Sequence, residues 1–248
     1  MIYNDIYEEA DSNMSESQAG GRKGRSFREN LLILYSMINS SLQKECGPLD
    51  ITLYDLEKCF DSLDLIDCCN DMFEAGVKDD KLAAIYEGNR TNKVAINTPC
   101  GQTERISIPD ILCQGASLPP LMCGVSVDKI GKEALERKSE SLPKYKGKIA
   151  IPMLAMVDDV LSISECGINS IENNSFINAM FEMKKLKLNN SKCHNIHIGK
   201  QCEKEMKLKA HDDIIINVDD DKYVGDIVSK DGKNMKNIKS RVGKGISA

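Results

Sequence analysis

The sequence lacks a long apolar run, and this absence excludes a membrane-spanning helix. Its longest such stretch is the nine residues of 149–157, whereas a spanning helix needs about 20. The N-terminal segment "MIYNDIYEEADSN" is acidic and has no apolar signal core, which argues against secretion. With 41% hydrophobic and 29% charged residues, the composition is that of an ordinary globular protein. We therefore predict an intracellular protein of the nucleus or cytoplasm, with no membrane partner.

Paired cysteine motifs are also missing. The chain has 10 cysteines and no Cys-x-x-Cys, so we predict reduced thiols. The one group with metal-ligand chemistry is Cys193, His194, His197 and Cys202, but its spacing matches no standard zinc module. Strand alternation in "CHNIHIG" predicts that the two histidines lie on opposite faces, which argues against a zinc site.

An excess of positive charge is absent, since the formal net charge is −5. This balance argues against a simple nucleic-acid-binding domain, which is usually strongly basic. The basic residues nevertheless cluster in three segments, which are 22–28, 184–192 and 230–244. Such clusters are most often solvated faces, so they prove little alone.

Hydrophobic periodicity predicts alternating helices and strands. We expect residues 1–25 to be irregular and helices at 26–42, 59–76, 79–89, after Pro119–Pro120 and from 168. Strands are expected at 48–55, around "TPCGQ", on both sides of Asp158 and Asp159, and in "SKCHNIHIG", "DIIINV" and "DKYVGDIVS". This order favours an α+β fold with an antiparallel sheet, a split βαβ unit of the ferredoxin or RRM type, and helices on one face.

The segment "MLAMVDDVLSIS" places two acids, Asp158 and Asp159, inside an apolar run. A further acid, Asp55, ends the first strand, and an antiparallel sheet can bring all three carboxylates together. They would repel one another unless cations were present, and carboxylate oxygens are the ligands that Mg²⁺ prefers. The other interpretation is a solvated turn, as in "AHDDI" and "VKDDK", but those pairs lack apolar flanks on both sides.

Six segments, taken in order, resemble a reverse transcriptase of the non-LTR retrotransposon type. They are "DSNMSESQAGGRKGRSFRENL", "DLEKCFDSL", "QGASLPPLMCGVSVD", "MVDDVLSIS", "MKKLKLNNSKCHNIHIG" and "KYVGDIVSKDG". In the family these are a fingers motif, four palm motifs and the primer grip. The resemblance implies a polymerase palm fold with partial fingers. It divides the chain into partial fingers at 1–47, palm at 48–228 and a basic tail at 229–248 that leads towards a missing thumb.

The resemblance also assigns roles in two-metal nucleotidyl transfer. Asp55, Asp158 and Asp159 become the catalytic acids; Asp55, Asp158 and the Leu56 carbonyl hold two Mg²⁺ ions, with Mn²⁺ as the alternative. Phe60 lies under the sugar of the incoming dNTP and excludes a 2′-hydroxyl, unless it is simply a core residue. The remaining nucleotide-binding candidates are Gln114, Gly115, Lys192, Arg22 and Arg25. Lys192 is equally well a solvated lysine, and the choice between the two arginines stays open.

For the RNA or DNA template and its primer, the resemblance gives five contacts, which are Tyr223, Gly225, Lys233, Lys236 and Lys239. Two pairs of residues depart from the family pattern. Met156 and Val157 stand where an aromatic and a small residue are usual, and Leu118–Pro119 stands where a small-aromatic pair is expected.

Three other functions compete with this interpretation. An RNA-dependent RNA polymerase shares the palm but usually carries a second Asp where Phe60 stands and Gly where Val157 stands. A truncated, inactive retroelement fragment would act at most as a nucleic-acid-binding module. An unrelated metal-dependent phosphotransferase has no motif of its own here. The sequence leaves the oligomeric state open.

Overall fold

The protein is described by a computed structural model for residues 2–90, 93–107, 118–138, 142–145, 148–200, 207–210, 213–233 and 236–237. The helices are α1 Ile2–Asn13, α2 Phe27–Leu42, α3 Cys59–Ser62, α4 Leu65–Glu74, α5 Asp79–Arg90, α6 Leu118–Lys138 and α7 Ile168–Met183, with a 3₁₀ turn at Asn190–Lys192. The longer strands are β1 Leu49–Glu57, β8 Met153–Met156, β9 Asp159–Glu165, β11 His194–Ile198, β15 Asp220–Tyr223 and β16 Asp226–Ser229. The two-residue strands are β2 Lys93–Val94, β3 Asn97–Thr98, β4 Gly101–Gln102, β5 Ile106–Ser107, β6 Lys144–Tyr145, β7 Ile149–Ala150, β10 Lys187–Leu188, β12 Lys209–Ala210, β13 Asp213–Ile214 and β14 Ile216–Asn217.

A central sheet has the strand order β14-β11-β1-β9-β8, and β10 also pairs with β1. All of these pairings are antiparallel except β11 with β14. The chain runs β1, α6, β8, β9, α7, β11, which is the split βαβ topology of ferredoxin-like folds. The predicted α+β class with an antiparallel sheet is therefore confirmed, and β1 at its centre is flanked by β9 and β11.

Strict alternation along β1 divides the core into two layers. Leu49, Ile51 and Leu53 contribute to a core that α2 covers. Tyr54 and Leu56 point to the opposite face and join the core beneath α6 and α7. This period of two is the expected pattern for a strand buried on both sides. Helices α6 and α7 lie on one face of the sheet, and α2 with Tyr223 and Val228 of the β15–β16 hairpin covers the other.

Some element boundaries differ from the prediction. Residues 2–13 form a helix rather than irregular chain, because Ile6, Tyr7, Ala10 and Met14 form an apolar stripe that packs into the core. The helix predicted at 59–76 is two helices, and the second is capped by Asp64, whose carboxylate accepts from Ile66 N at 2.9 Å. The helix at 26–42 is confirmed, with Ser26 as its N-cap.

The cysteines correct one expectation. Seven described cysteines are free thiols, but Cys166 is disulfide-bonded, so the prediction of reduced thiols throughout is wrong at that position. Chain spacing carries no information on which distant cysteines meet, which is why the sequence could not show it. None of the described helices combines the length and apolar character needed to cross a membrane.

A buried ion pair joins α4 to the end of α7. Asp71 accepts from Ser126 Oγ at 2.6 Å, and Lys184 Nζ contacts the same carboxylate oxygen. Lys129 Nζ lies 3.2 Å from the other oxygen. Because the Asp71 and Lys184 side chains are only 4% and 10% exposed, removing one partner leaves a buried charge poorly compensated.

We expect Lys184→Met to lower the free energy of unfolding by about 3 kcal/mol. For a chain of this size the loss corresponds to a Tm lower by roughly 6 to 12 °C. Denaturant titration measures it. The matched control is Lys185→Met, since the Lys185–Asp64 pair is solvent-exposed and should change stability little. Equal losses in the two variants would contradict the assignment of the Asp71–Lys184 pair as a structural anchor.

Candidate active site

The acidic hairpin is formed by β8 and β9. Met156 pairs with Asp159, so a two-residue turn of Val157 and Asp158 connects the strands. Val157 has φ of 62°, in the left-handed region that β-branched residues rarely adopt. Such a conformation costs on the order of 1–3 kcal/mol and persists only when its surroundings impose it. The two acids are solvent-exposed at the tip, while the strands behind them are buried.

Asp55 lies beside this turn because of the strand register. On adjacent antiparallel strands Asp55 is directly opposite Asp159, and directly opposed side chains share a face of the sheet. Partial loss of hydration, and then the charges of Asp158 and Asp55, raise the pKa of Asp159. The sheet thus places the three predicted acids at one corner, but in the described structure their carboxylate oxygens do not all lie within 4.8 Å of one another, as expected for like charges that repel.

Lys192 reaches the same corner from the 3₁₀ turn. Its Nζ lies 3.3 Å from Asp55 Oδ2, with the two side chains 64% and 41% exposed. The preceding Asn189 donates its backbone N–H to the Asp55 carbonyl at 2.9 Å, which fixes the turn against β1. A solvated ion pair of this kind contributes little to stability, so Lys192 remains free to exchange partners.

Phe60 and Leu56 follow Asp55 on the same segment. Leu56 is buried and pairs with Leu188, while Phe60 is partly exposed on α3 and packs against the core. The segment turns sharply between them, since Lys58 has φ of 46°. Gln114 and Gly115, the other predicted nucleotide contacts, lie outside the described residues.

The structure separates the two candidate arginines. The Arg22 side chain is 5% exposed and is held by Asp11 and by the carbonyl oxygens of Ser15 and Gln18. The guanidinium donors of Arg22 are thus engaged inside the protein, and its contact with a phosphate stays a prediction. Arg25 is 29% exposed and pairs with Glu16 and Glu29, whose carboxylates raise the pKa of Arg25.

The residues predicted to contact the template and primer also differ in exposure. Tyr223 is 3% exposed, and its hydroxyl accepts from Asn30 Nδ2 at 3.2 Å, so its side chain lies in the core, and its contact with nucleic acid stays a prediction. Burial raises the pKa of Tyr223. Gly225 occupies the exposed tip of the β15–β16 turn with φ of 86°. Lys233 and Lys236 are exposed and pair with Asp231 and Asp220, whereas Lys239 lies outside the described residues.

Two polar residues and one glycine with no predicted role also reach the hairpin. Gln18 and Asn30 form hydrogen bonds to Val157 and Ala155, and Gly20 packs directly against Val157. Gln18 and Gly20 belong to the first of the six segments that resemble the family, but a motif does not show what its residues touch.

A second group of ligand-type side chains lies at the other end of β1. Across the described residues, Asp50, Cys166 and His197 alone have three ligand atoms all within 4.8 Å of one another. Because Cys166 is disulfide-bonded, its sulfur is not a thiolate ligand here. A hydrogen bond to Asp50 at 3.0 Å raises the pKa of His197, while His194 bonds Asp221 on the opposite face, as the alternation predicts.

We expect Asp159→Asn to raise Tm at pH 7 in the absence of divalent cations. The folded-state pKa of Asp159 is raised, so the folded state holds its proton more tightly than the unfolded state. Stability is therefore lost as pH rises from the unfolded value through the folded one, and the Asn variant escapes that loss. Calorimetry should show a Tm difference at pH 7 that disappears near pH 3. A Tm difference that does not depend on pH would contradict this prediction. So would an equal Tm difference in Glu104→Gln, which removes an exposed carboxylate elsewhere.

Comparison with known proteins identifies related sequences and folds. A family model described as "Reverse transcriptase (RNA-dependent DNA polymerase)" matches residues 1–234. No curated protein sequence matches the chain.

The solved structures most like this fold include telomerases of two yeasts. An apo telomerase from Candida tropicalis, truncated from its C-terminal domain, has a TM-score of 0.61 at 13% identity, over 92% of this chain and 43% of that one. A Candida albicans telomerase in complex with the TWJ fragment of telomeric RNA has a TM-score of 0.61 at 12% identity, over 92% of this chain and 36% of that one. At such identities the likeness shows the fold, and the chain spans less than half the length of these structures.

Proposed function

The chain belongs to the reverse transcriptase (RNA-dependent DNA polymerase) family, and on that premise we propose that it carries the nucleotidyl-transfer centre of an RNA-directed DNA polymerase. The observation that supports this most is the register of β1 and β9, which sets Asp55 opposite Asp159 beside the turn that holds Asp158. Acids placed together at one corner of a sheet repel one another, so this placement favours a cation between them.

The donor set of this corner suits a hard divalent cation. All three side chains offer carboxylate oxygens. The pKa of Asp159 is raised first by loss of hydration and then by the charges of Asp158 and Asp55, and a cation would offset those charges. In the proposal Asp55, Asp158 and the Leu56 carbonyl hold two Mg²⁺ ions, with Mn²⁺ as a substitute, and Asp159 supports them. Bound ions of this kind activate an attacking hydroxyl and stabilise a leaving oxygen.

The surrounding side chains then orient the nucleotide and the primer. Lys192, already paired with Asp55 at 3.3 Å, is placed to take a triphosphate oxygen as its partner. Arg25 is the accessible arginine for a phosphate, and Phe60 is proposed to lie beneath the sugar of a dNTP. Gln114 and Gly115 complete the proposed nucleotide site.

A template and primer are the proposed nucleic-acid partners. The turn at Gly225 is exposed, as are Lys233 and Lys236, which follow the β15–β16 hairpin, and with Lys239 they would contact the phosphate backbone. The six ordered motifs favour the non-LTR type of element. We also propose fingers at 1–47, palm at 48–228 and a basic tail at 229–248.

Primer extension on an RNA template tests the function. Purified chain, dNTPs and Mg²⁺ or Mn²⁺ should extend a DNA primer, and replacement of dNTPs by NTPs should stop extension. Extension with NTPs alone would favour an RNA-dependent RNA polymerase. Binding of the template-primer without any extension would favour the inactive, nucleic-acid-binding fragment.

A further inference from the structure

We propose that Gln18 and Gly20 are positioning residues that fix the Val157–Asp158 turn, and with it the Asp158 carboxylate. This inference deepens the proposed function and rests on it for its kinetic test. It assigns to the segment 17–20 a task that is neither substrate binding nor metal binding. The segment sets the geometry of an acid that belongs to another part of the fold.

The segment docks as an extra strand on the edge of the sheet. Ala19 N donates to Ala155 O at 3.0 Å, and Ala155 N donates to Ser17 O at 2.9 Å, which gives a parallel bridge centred on Gln18. Asn30 Nδ2 adds a second donor to Ala155 O at 2.9 Å. Ala155 lies two positions before the turn, on β8, which is the edge strand of the described sheet. These hydrogen bonds fix Ala155 on the open side of that strand.

The Gln18 side chain joins this edge to the turn itself. It is 1% exposed, and its Oε1 accepts from Gly20 N at 2.8 Å and from Val157 N at 3.2 Å. Its Nε2 donates to Gly124 O of α6 at 3.3 Å. A buried amide with its oxygen and nitrogen both satisfied has one favoured orientation. Gln18 therefore holds the strained Val157 between the N-terminal segment and α6.

Gly20 leaves the space that the turn occupies. A Cβ built at this position would lie 2.3 Å from Val157 N and 2.5 Å from Val157 Cγ2. Backbone cannot yield in the way that the end of a flexible side chain can, so even a methyl group must displace the turn. The absence of a side chain at Gly20 and the left-handed Val157 are two parts of one close contact.

The segment 17–20 is itself held in place by hydrogen bonds. Arg22 Nη1 donates to the Gln18 carbonyl at 3.1 Å and also to the Ser15 carbonyl, while Asp11 holds its Nε. Ser15 N donates to the Asp128 carboxylate of α6 at 3.1 Å. The buried Arg22 therefore has a structural role that does not involve a phosphate. Its hydrogen bonds hold the segment 17–20, and that segment holds the Val157–Asp158 turn.

The kinetic test uses Gln18→Met, which keeps the volume and removes the hydrogen bonds, and Gly20→Ala. We expect kcat for primer extension to fall on the order of 10- to 100-fold in each, because small misplacements of reacting groups have effects of that size. KM for dNTP should change less than kcat, and the Mg²⁺ concentration for half-maximal rate should rise. The matched controls are Gln102→Met on an exposed strand and Gly88→Ala, where an added Cβ meets nothing within 4 Å. Wild-type kcat in both Gln18→Met and Gly20→Ala would overturn the proposal.

A double-mutant cycle separates positioning from general stability. In the Asp158→Asn background, Gln18→Met should cause no further loss of residual rate, since the group that it positions is gone. A purely structural role would give additive losses and an unchanged Mg²⁺ dependence, and that pattern would overturn the proposal.

Amide hydrogen exchange provides a test that needs no activity. Gln18→Met should speed exchange at Val157 N about 10-fold, because that amide loses its acceptor. Exchange at Ala155 N, which bonds Ser17 O, should stay near wild type. An unchanged Val157 amide overturns the positioning role. If the wild-type chain extends no primer but this exchange difference appears, the proposed function fails, while the role of Gln18 in fixing the Val157–Asp158 turn is supported.

Discussion

Asp158→Asn is expected to reduce primer extension at least about 10³-fold, the largest effect of any single substitution considered for this chain. The substitution keeps the shape of the turn and removes one negative charge from the corner where Asp55 and Asp159 meet. Metal-assisted charge stabilisation is worth several kcal/mol, and each 1.36 kcal/mol is tenfold in rate. Single-turnover extension of a labelled primer on an RNA template measures the change.

A second observable links the same substitution to the cation. Addition of Mg²⁺ should raise Tm of the wild-type chain, because a ligand that binds only the folded state stabilises it. In Asp158→Asn the shift should be smaller, and in Glu104→Gln, which neutralises an exposed carboxylate on another hairpin, it should equal that of the wild type. If Asp158→Asn extends primers at the wild-type rate, Asp158 is not a catalytic ligand and the site assignment fails.

The sheet was predictable from sequence because burial on two faces imposes a short-range pattern. The alternation of Leu49, Ile51 and Leu53 against Tyr54 and Leu56 reports both core layers at once. The acidic pair between two apolar runs located the turn between β8 and β9, and the chain order of motifs then implied that Asp55 ends beside it. What the sequence could predict was therefore most of the longer elements and their order, but not the helix at Ile2–Asn13.

The direction of individual side chains was harder to predict. Tyr223 and Gly225 belong to one motif, yet the first points into the core and the second lies at an exposed tip. Arg22 and Arg25 likewise share a basic segment but have exposed side-chain fractions of 5% and 29%. A motif defines positions along the chain, whereas the burial of a side chain depends on which distant element packs against it. The hydrogen bonds of Gln18 could not be predicted for the same reason, since its partners Gly124 and Val157 are 106 and 139 residues away along the chain.

Phe60→Val is expected to remove roughly 100-fold of the preference for dNTPs over NTPs, which is the scale at which a shaped apolar site rejects one added hydroxyl. Phe60 stands five residues after Asp55, on the short α3 that follows a sharp turn at Lys58. The ring is partly exposed rather than enclosed, which is what a surface for a sugar requires. The measurement is the ratio of kcat/KM for a dNTP and the matching NTP on one template-primer.

The competing explanation for Phe60 is packing, and the same variant distinguishes the two. Because Phe60 also touches the core, some loss of stability is expected in either case. A residue that only packs would lower the rates with dNTP and NTP together and leave their ratio unchanged. Phe73→Val, at a ring that is 57% exposed on α4, serves as the control and should alter neither rate. If the dNTP to NTP ratio of kcat/KM changes in Phe60→Val and not in the control, the ring contacts the sugar. If the ratio is unchanged, Phe60 is only a core residue and another residue selects deoxynucleotides.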